Sequence, residues 1–575
     1  MRSFLSVSVL IAIGIVGCFS AESASEMEFE IQLAQSAFDE IAALGLDTPV
    51  SGRLFLVVSR SDEREPRLQT GVSGVPFWGM DVEGIGPGDV LTLNTGDSGV
   101  TGFPLDSLSE LPEDEYFVQA LLSVYTNFER SDGHTVSMHL NSGAGQNQWR
   151  APGNAISSVT KLNLKPASGR NYELTLNSVI PPLNPLEEGD VLQQGNPSDT
   201  ELVKFVKIQS DLLSEFWGRP MYIGANVLLP VDYDTSDQSY PVMYMQGHFP
   251  GGRAPLGFST AEQGRGRSAG LSEFWLSDEA PRMIAISIRD ANPYYDTSYS
   301  VDSDNVGPYG AAITNELIPY LESQFRIIDD SWARIVAGGS TGGWEALAMQ
   351  IYYPDTFGGS WGWCPDPVDF NYHQIVNVYE DDNAYFLDNE WHRVERPNAR
   401  RFDGNIRSTV RQENLLELAT GPNTRSGGQW AIWEAVFGPV GSNGYPQPIW
   451  DPESGEINRA TADYWRGNAD LHDYLRTNWE SVASQLDGKL HIAVGDMDSY
   501  YLDNAVYRLD EFLNQEAQPR IETEIQYGRR KPHCWTGYSP NNPGEDMSTL
   551  EFVQIVADHF SDNAPNGAEM DWINR

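Results

Sequence analysis

Gly338-Gly339-Ser340-Thr341-Gly342-Gly343 constrains this chain more than any other stretch. A short apolar run, Ile335-Val336-Ala337, precedes it, and an Ala/Leu/Met-rich segment over 344–351 follows. Strand, cramped turn and helix in that order put one serine at a turn where neighbouring Cβ atoms would collide, so glycines flank it. A serine hydroxyl is a weak nucleophile by itself. The turn carries chemistry only if a histidine and an acid can reach it.

Both follow in the chain. The run 490–494 leads into Gly495-Asp496-Met497-Asp498-Ser499-Tyr500-Tyr501, which offers two carboxylates at a strand end. Asp498 is favoured, because a few residues past the strand its carboxylate can reach across to a histidine. Asp496 is the alternative, and a loop aspartate commonly just satisfies backbone amides. Pro532-His533-Cys534-Trp535 follows the strand-like run 522–527 and precedes a C-terminal helical segment, so His533 is the histidine so placed. His559 falls on that helix, His491 inside a strand, and His134 and His139 in the N-terminal region. In such a set the neutral imidazole takes the Ser340 proton and returns it to the leaving group, while Asp498 fixes the tautomer. Ser340 then carries the acyl group between two steps.

The developing oxyanion needs donors. One is the backbone N–H of Thr341, directly after the nucleophile. The other comes from Gln246-Gly247-His248-Phe249-Pro250-Gly251-Gly252, where the N–H of either His248 or Phe249 fits the role. No metal and no organic cofactor is expected in the chemistry. Aspartate-rich turns such as Asp302-Ser303-Asp304 lack EF-hand spacing and read as solvated.

At 575 residues the chain exceeds one ordinary core. Residues 25–182 carry strand signals (53–59, 90–93, 116–125, 161–164, 172–176) separated by turns such as Gly86-Pro87-Gly88-Asp89, with one short helix over 33–44. An all-β, sandwich-like domain is expected there. A Pro-rich linker over 183–200 follows. In 201–575 the strand-like runs 227–229, 242–245, 283–288, 335–337, 490–494 and 522–527 alternate with helical runs 312–325, 344–352, 505–513 and 550–560. That alternation predicts an α/β fold: a mostly parallel sheet flanked by helices. Pro319 should kink the first helix. An insertion over about 370–486 breaks the rhythm as a cap, rich in Trp391, Trp430, Trp433, Trp450, Trp465 and Trp479. Such aromatics either pack a small core of their own or stack on aromatic or glycosyl substrates.

The N-terminus pairs Arg2 with an apolar run over 4–16, too short for a permanent span and laid out as a secretory signal over 1–24. Ile15-Val16-Gly17-Cys18 is similar to a bacterial lipobox, which makes Cys18 a lipidation candidate and a lipid tether the only expected membrane contact. The exported protein would be periplasmic, envelope-bound or secreted. With 81 acidic against 37 basic residues the net charge is −44, which repels phosphate backbones and excludes nucleic acid as a partner.

From about residue 201 onward the chain resembles the esterase branch of the α/β-hydrolases, which includes esterase D, enterochelin esterase and feruloyl esterase domains. Gly224-Ala225-Asn226-Val227-Leu228-Leu229-Pro230, the 246–252 loop, Glu316-Leu317-Ile318-Pro319-Tyr320-Leu321-Glu322, Phe325-Arg326, the serine turn and Pro532-His533-Cys534-Trp535 carry the likeness. The resemblance implies hydrolysis of a small-molecule or glycan-linked carboxylic ester by Ser340, Asp498 and His533. The same triad would serve a serine peptidase or an acyltransferase, and a non-enzymatic envelope binder on this scaffold is the alternative from another class. Some secreted relatives staple their histidine loop with a disulfide, which by this likeness would join Cys364 to Cys534.

Overall fold

The computed structural model describes residues 27–573, apart from 141–146, 184–195, 260–268, 388 and 390. The expected signal segment with Cys18, and most of the expected linker, lie outside the described residues.

In the N-terminal region a long strand, Asp114–Glu129, pairs with Val50–Ser59 on one side and with Thr135–His139, Ala155–Ser157 and Thr160–Leu164 along its length. Sixteen residues are enough to serve several partners, so the strands form one hydrogen-bonded network of ten rather than the two separate sheets of a sandwich. The pairing of Glu28–Leu33 with Asn171–Val179 is parallel. Strand Val50–Ser59 explains its own unbroken apolar run. Leu54, Leu56 and Val58 enter the main core, while Phe55 and Val57 pack with Phe77, Phe103, Leu121 and Ala419 in a second cluster. Ala419 belongs to the helix Val410–Thr420 in the insertion, so the N-terminal sheet is seated on the cap.

The second sheet has eight strands: β1 (Val203–Ser210), β2 (Met221–Leu228), β3 (Val242–Gln246), β4 (Ile284–Arg289), β5 (Arg334–Gly339), β6 (Gly359–Trp363), β7 (Leu490–Gly495) and β8 (Thr523–Gly528). Their order is β1-β2-β4-β3-β5-β6-β7-β8, antiparallel over β1-β2-β4 and parallel from β4 to β8. β5 lies centrally with Ile335, Val336 and Ala337 wholly buried, and the helix Thr341–Tyr352 leaving it is buried over 341–351. The helical run before Pro319 passes through a π turn at Ile313–Leu317. Widening the turn accommodates a residue that cannot donate to the ladder.

Among the described residues the insertion holds four α-helices, Val410–Thr420, Gln429–Phe437, Arg459–Asn468 and Leu471–Leu486. Trp430, Trp433, Trp450 and Trp465 pack around the buried His373, with ring centroids 4.7–6.1 Å from its imidazole. Burial pushes the His373 pKa down to about 3, so the ring is neutral and serves as packing. Most of the tryptophans therefore build the cap's own core, whereas Trp391 is 84% exposed.

Candidate active site

Ser340 sits between β5 and its helix with φ 60° and ψ −124°, a left-handed conformation costly for a residue with a side chain. The sequence permits it through two neighbours. A Cβ on Gly338 would lie 2.4 Å from the Gly342 carbonyl oxygen, and one on Gly342 would lie 2.3 Å from that of Gln246. The turn is held from behind by the Ser340 N–H donating to the Trp363 carbonyl at 2.9 Å.

Three of the residues singled out above meet at this turn. His533 Nε2 lies 2.9 Å from Ser340 Oγ, and His533 Nδ1 lies 2.7 Å from Asp498 Oδ2. Asp498 is fully buried just beyond β7, and its other oxygen accepts the Tyr500 N–H at 2.8 Å. Asp496 instead accepts the backbone N–H of Arg530 and plays the loop role. Burial works to lower the His533 pKa, but the bonds and charges of Asp498 and Cys534 overcome it and hold the pKa above the ordinary value.

The loop after β3 runs against the turn, since a Cβ on Gly342 would come 2.8 Å from the Gly247 nitrogen. His248 and Phe249 follow directly. The His248 ring bonds Asp296 Oδ1 at 2.9 Å. Thr341 is buried, and its Oγ1 donates to Asp366 Oδ2 at 3.0 Å.

The expected disulfide is absent: Cys364 and Cys534 are free thiols, the first buried and the second exposed. They are nonetheless neighbours, and their sulfurs and a ring nitrogen of His533 lie within 4.8 Å of one another. The sulfurs interact as hydrogen-bond partners instead of sharing a covalent bond. Cys364 donating to Cys534, with the adjacent imidazole, draws the Cys534 pKa down to about 5 against the opposing effect of burial.

Asp366 is the residue that sequence reasoning missed. It lies three residues past β6 and is 3% exposed. Its Oδ2 accepts from Tyr299 Oη at 2.6 Å, Thr341 Oγ1 at 3.0 Å, Gln429 Nε2 at 3.2 Å and Trp433 Nε1 at 3.4 Å. Its Oδ1 lies 3.5 Å from Ser340 Oγ. Burial raises its pKa, opposed by these donors and by the charges of His533 and His248. The available signal was Pro365-Asp366-Pro367 at the carboxyl end of a strand, the edge where sheets of this kind bind ligands. Two of the four donors, Gln429 and Trp433, come from the cap helix Gln429–Phe437. A cavity of about 410 Å³ is walled by Thr70 and Trp149 from the N-terminal region, Glu417 from the cap, and His248, Tyr295 and Asp296; Tyr295 links it to this cluster by donating to Gln429 Oε1 at 2.9 Å.

Comparison with known proteins places part of the chain. Residues 217–407 match the family described as "Putative esterase". Two esterases of Mycobacterium tuberculosis are 33% identical over 132 residues, 23% of this chain and 26% of theirs, so the chain spans about a quarter of these curated relatives. A ferulic acid esterase structure is similar at 16% identity over 62% of this chain and 99% of its own, with a TM-score of 0.36. An S-formylglutathione hydrolase from Agrobacterium tumefaciens is similar at 12% identity over 64% of this chain and 97% of its own, with a TM-score of 0.31.

Proposed function

We propose that the chain, whose stretch bearing Ser340 matches the esterase family, is a serine hydrolase of carboxylic esters. The strand order β1-β2-β4-β3-β5-β6-β7-β8, with the nucleophile turn after β5, is read as an α/β-hydrolase fold. The single observation that carries the proposal is the hydrogen-bonded line from Asp498 through His533 to Ser340 on the strained turn.

In this reading His533 Nε2 removes the Ser340 proton as Oγ attacks the ester carbonyl carbon. The carbonyl π electrons pass to the oxygen, which becomes an oxyanion facing the N–H of Thr341 and that of His248 or Phe249. Each such donor contributes about 3–4 kcal/mol to the transition state. Collapse expels the alcohol, which takes the proton from His533 and leaves an acyl group on Ser340. Water, deprotonated by the same imidazole, then releases the acid. Asp498 keeps Nδ1 protonated, so that Nε2 presents its lone pair to the serine.

Ser340→Ala is the direct test. Turnover of p-nitrophenyl acetate should fall by about 10⁴-fold or more while the folded protein is retained. The parent should also be labelled by a fluorophosphonate probe and the variant should not. Undiminished hydrolysis by the Ser340→Ala protein would overturn the assignment.

A further inference from the structure

We infer that Asp366 selects the acyl group: its Oδ1 receives a protonated amine carried on the carbon next to the ester carbonyl, making amino-acid esters the preferred substrates. The inference rests on the esterase reading and names its substrate class.

The geometry of the carboxylate carries it. Four donors from three separate segments converge on Oδ2, which fixes the plane of the group. Among the described residues the one side-chain hydrogen bond to Oδ1 comes from the Ser340 hydroxyl, at 3.5 Å. One oxygen of a buried acceptor thus lies beside the nucleophile that an acyl group must reach. A carbonyl carbon under attack lies about 3 Å from the serine oxygen. A substituent two bonds from that carbon then falls within hydrogen-bonding reach of Oδ1.

Charge points the same way. Fixed negative charge beside a developing oxyanion opposes the reaction, and this neighbourhood is acidic. Burial first, and then the charges of Asp290, Asp366 and Asp296, push the Glu345 carboxyl well above its ordinary range, so that charge is disfavoured there. The cationic partners acting on Asp366 are the side chains of His533 and His248. A neutral acyl group adds no cation to those two imidazoles when the oxyanion forms, whereas an ammonium brings one more positive charge to Asp366 at that moment. Discrimination arises from penalising the neutral ester as well as from attracting the charged one.

The test compares 2-naphthyl L-alaninate with 2-naphthyl isobutyrate, which share one heavy-atom shape and differ by ammonium against methyl. Each kcat/KM on the full chain is divided by the ester's own rate of hydroxide hydrolysis, which removes the difference in intrinsic reactivity. The parent should then favour the alaninate by about 10–100-fold. In Asp366→Asn this ratio should collapse toward one. A ratio within one preparation does not depend on how much protein is folded, so a structural defect would not imitate that result. If the variant hydrolyses neither ester, the parent's preference decides by itself. Ser340-dependent hydrolysis of both esters with no preference in the parent, or a preference kept in Asp366→Asn, overturns the inference and leaves the esterase reading standing. Hydrolysis of neither ester by the parent overturns both.

Discussion

Cys534 touches the histidine on which the proposed chemistry turns, and it changes that histidine's affinity for a proton. The hydrogen bond from Cys364 and the adjacent imidazole draw the Cys534 thiol down to about 5, and the thiolate they favour supports the imidazolium of His533, as Asp498 does. The proposed base must be neutral, so kcat/KM should rise with pH through the His533 pKa, on an acid limb displaced above 6.5. Cys534→Ser removes one of the two anions, and the limb should move to lower pH by about one unit. A pH–rate profile of ester hydrolysis measures it, and an unmoved limb would show that the thiol exerts no such control. Ser340, His533 and Asp498 were legible in the sequence because each sits at a fixed offset from a strand end and turn chemistry marks the place. Asp366 was not, since its meaning depends on Gln429 and Trp433, which lie more than sixty positions away. The Cys364–Cys534 neighbourhood was legible as proximity, but the bond inferred from resemblance was not formed.

Helix Gln429–Phe437 of the cap has no side-chain cap of its own at Gly428, and a neighbouring element supplies one. Glu417, on helix Val410–Thr420, accepts the N–H groups of Trp430 and Ala431 at 3.0 and 2.9 Å. A carboxylate there also meets the positive end of the helix dipole. Behind it, Glu434 accepts from Ile449 N and Thr424 Oγ1, both at 3.3 Å. Burial pushes Glu417 up to about 7, and burial with the charge of Glu417 pushes Glu434 up to about 8. An unfolded glutamate titrates near 4.3, so the fold binds protons that the unfolded chain has already released. Stability from this pair therefore falls as pH rises from about 4.3 toward 8. Glu434→Gln should raise Tm by about 2–4 °C at pH 8, with little gain at pH 5, as thermal unfolding at the two pH values would register. An equal gain at both would mean that the charge plays no part. At this scale sequence reading found β2 to β5 and β7 because their runs are largely apolar on both faces, and β8 because Ile525 and Tyr527 alternate with polar residues. It did not name the edge strand β1, whose Lys204, Lys207 and Gln209 break any alternation, and it could not foresee that Asp114–Glu129 would join the N-terminal strands into one network.

Across the whole molecule, an acidic chain of net charge −44 places several of its arginines at the seams between its parts. Arg53 of the N-terminal sheet is 1% exposed. It donates to the Ala419 carbonyl at the end of cap helix Val410–Thr420 (2.9 and 3.2 Å) and pairs with Asp81 at 2.7 Å. Arg425 of the cap reaches back to the same Asp81, and Arg130 donates to the Gly444 and Asp304 carbonyls at 3.0 and 2.9 Å. The guanidinium suits such seams because one rigid fork satisfies several carbonyls and a carboxylate together. The helix that Arg53 holds also carries Glu417 into the cavity wall beside the site. Removing Arg53 leaves a buried carbonyl without its donor and a void between sheet and cap, which costs about 2–3 kcal/mol. The surface pair Arg60–Asp114, with side chains 60% and 52% exposed, has the same charges with none of that burial. Arg53→Ala should therefore lower the denaturation midpoint, expose the cap to limited proteolysis and reduce kcat/KM, while Arg60→Ala should change all three very little. Equal effects from the two would mean that the N-terminal sheet does not brace the cap, and that the cavity wall keeps its shape without it.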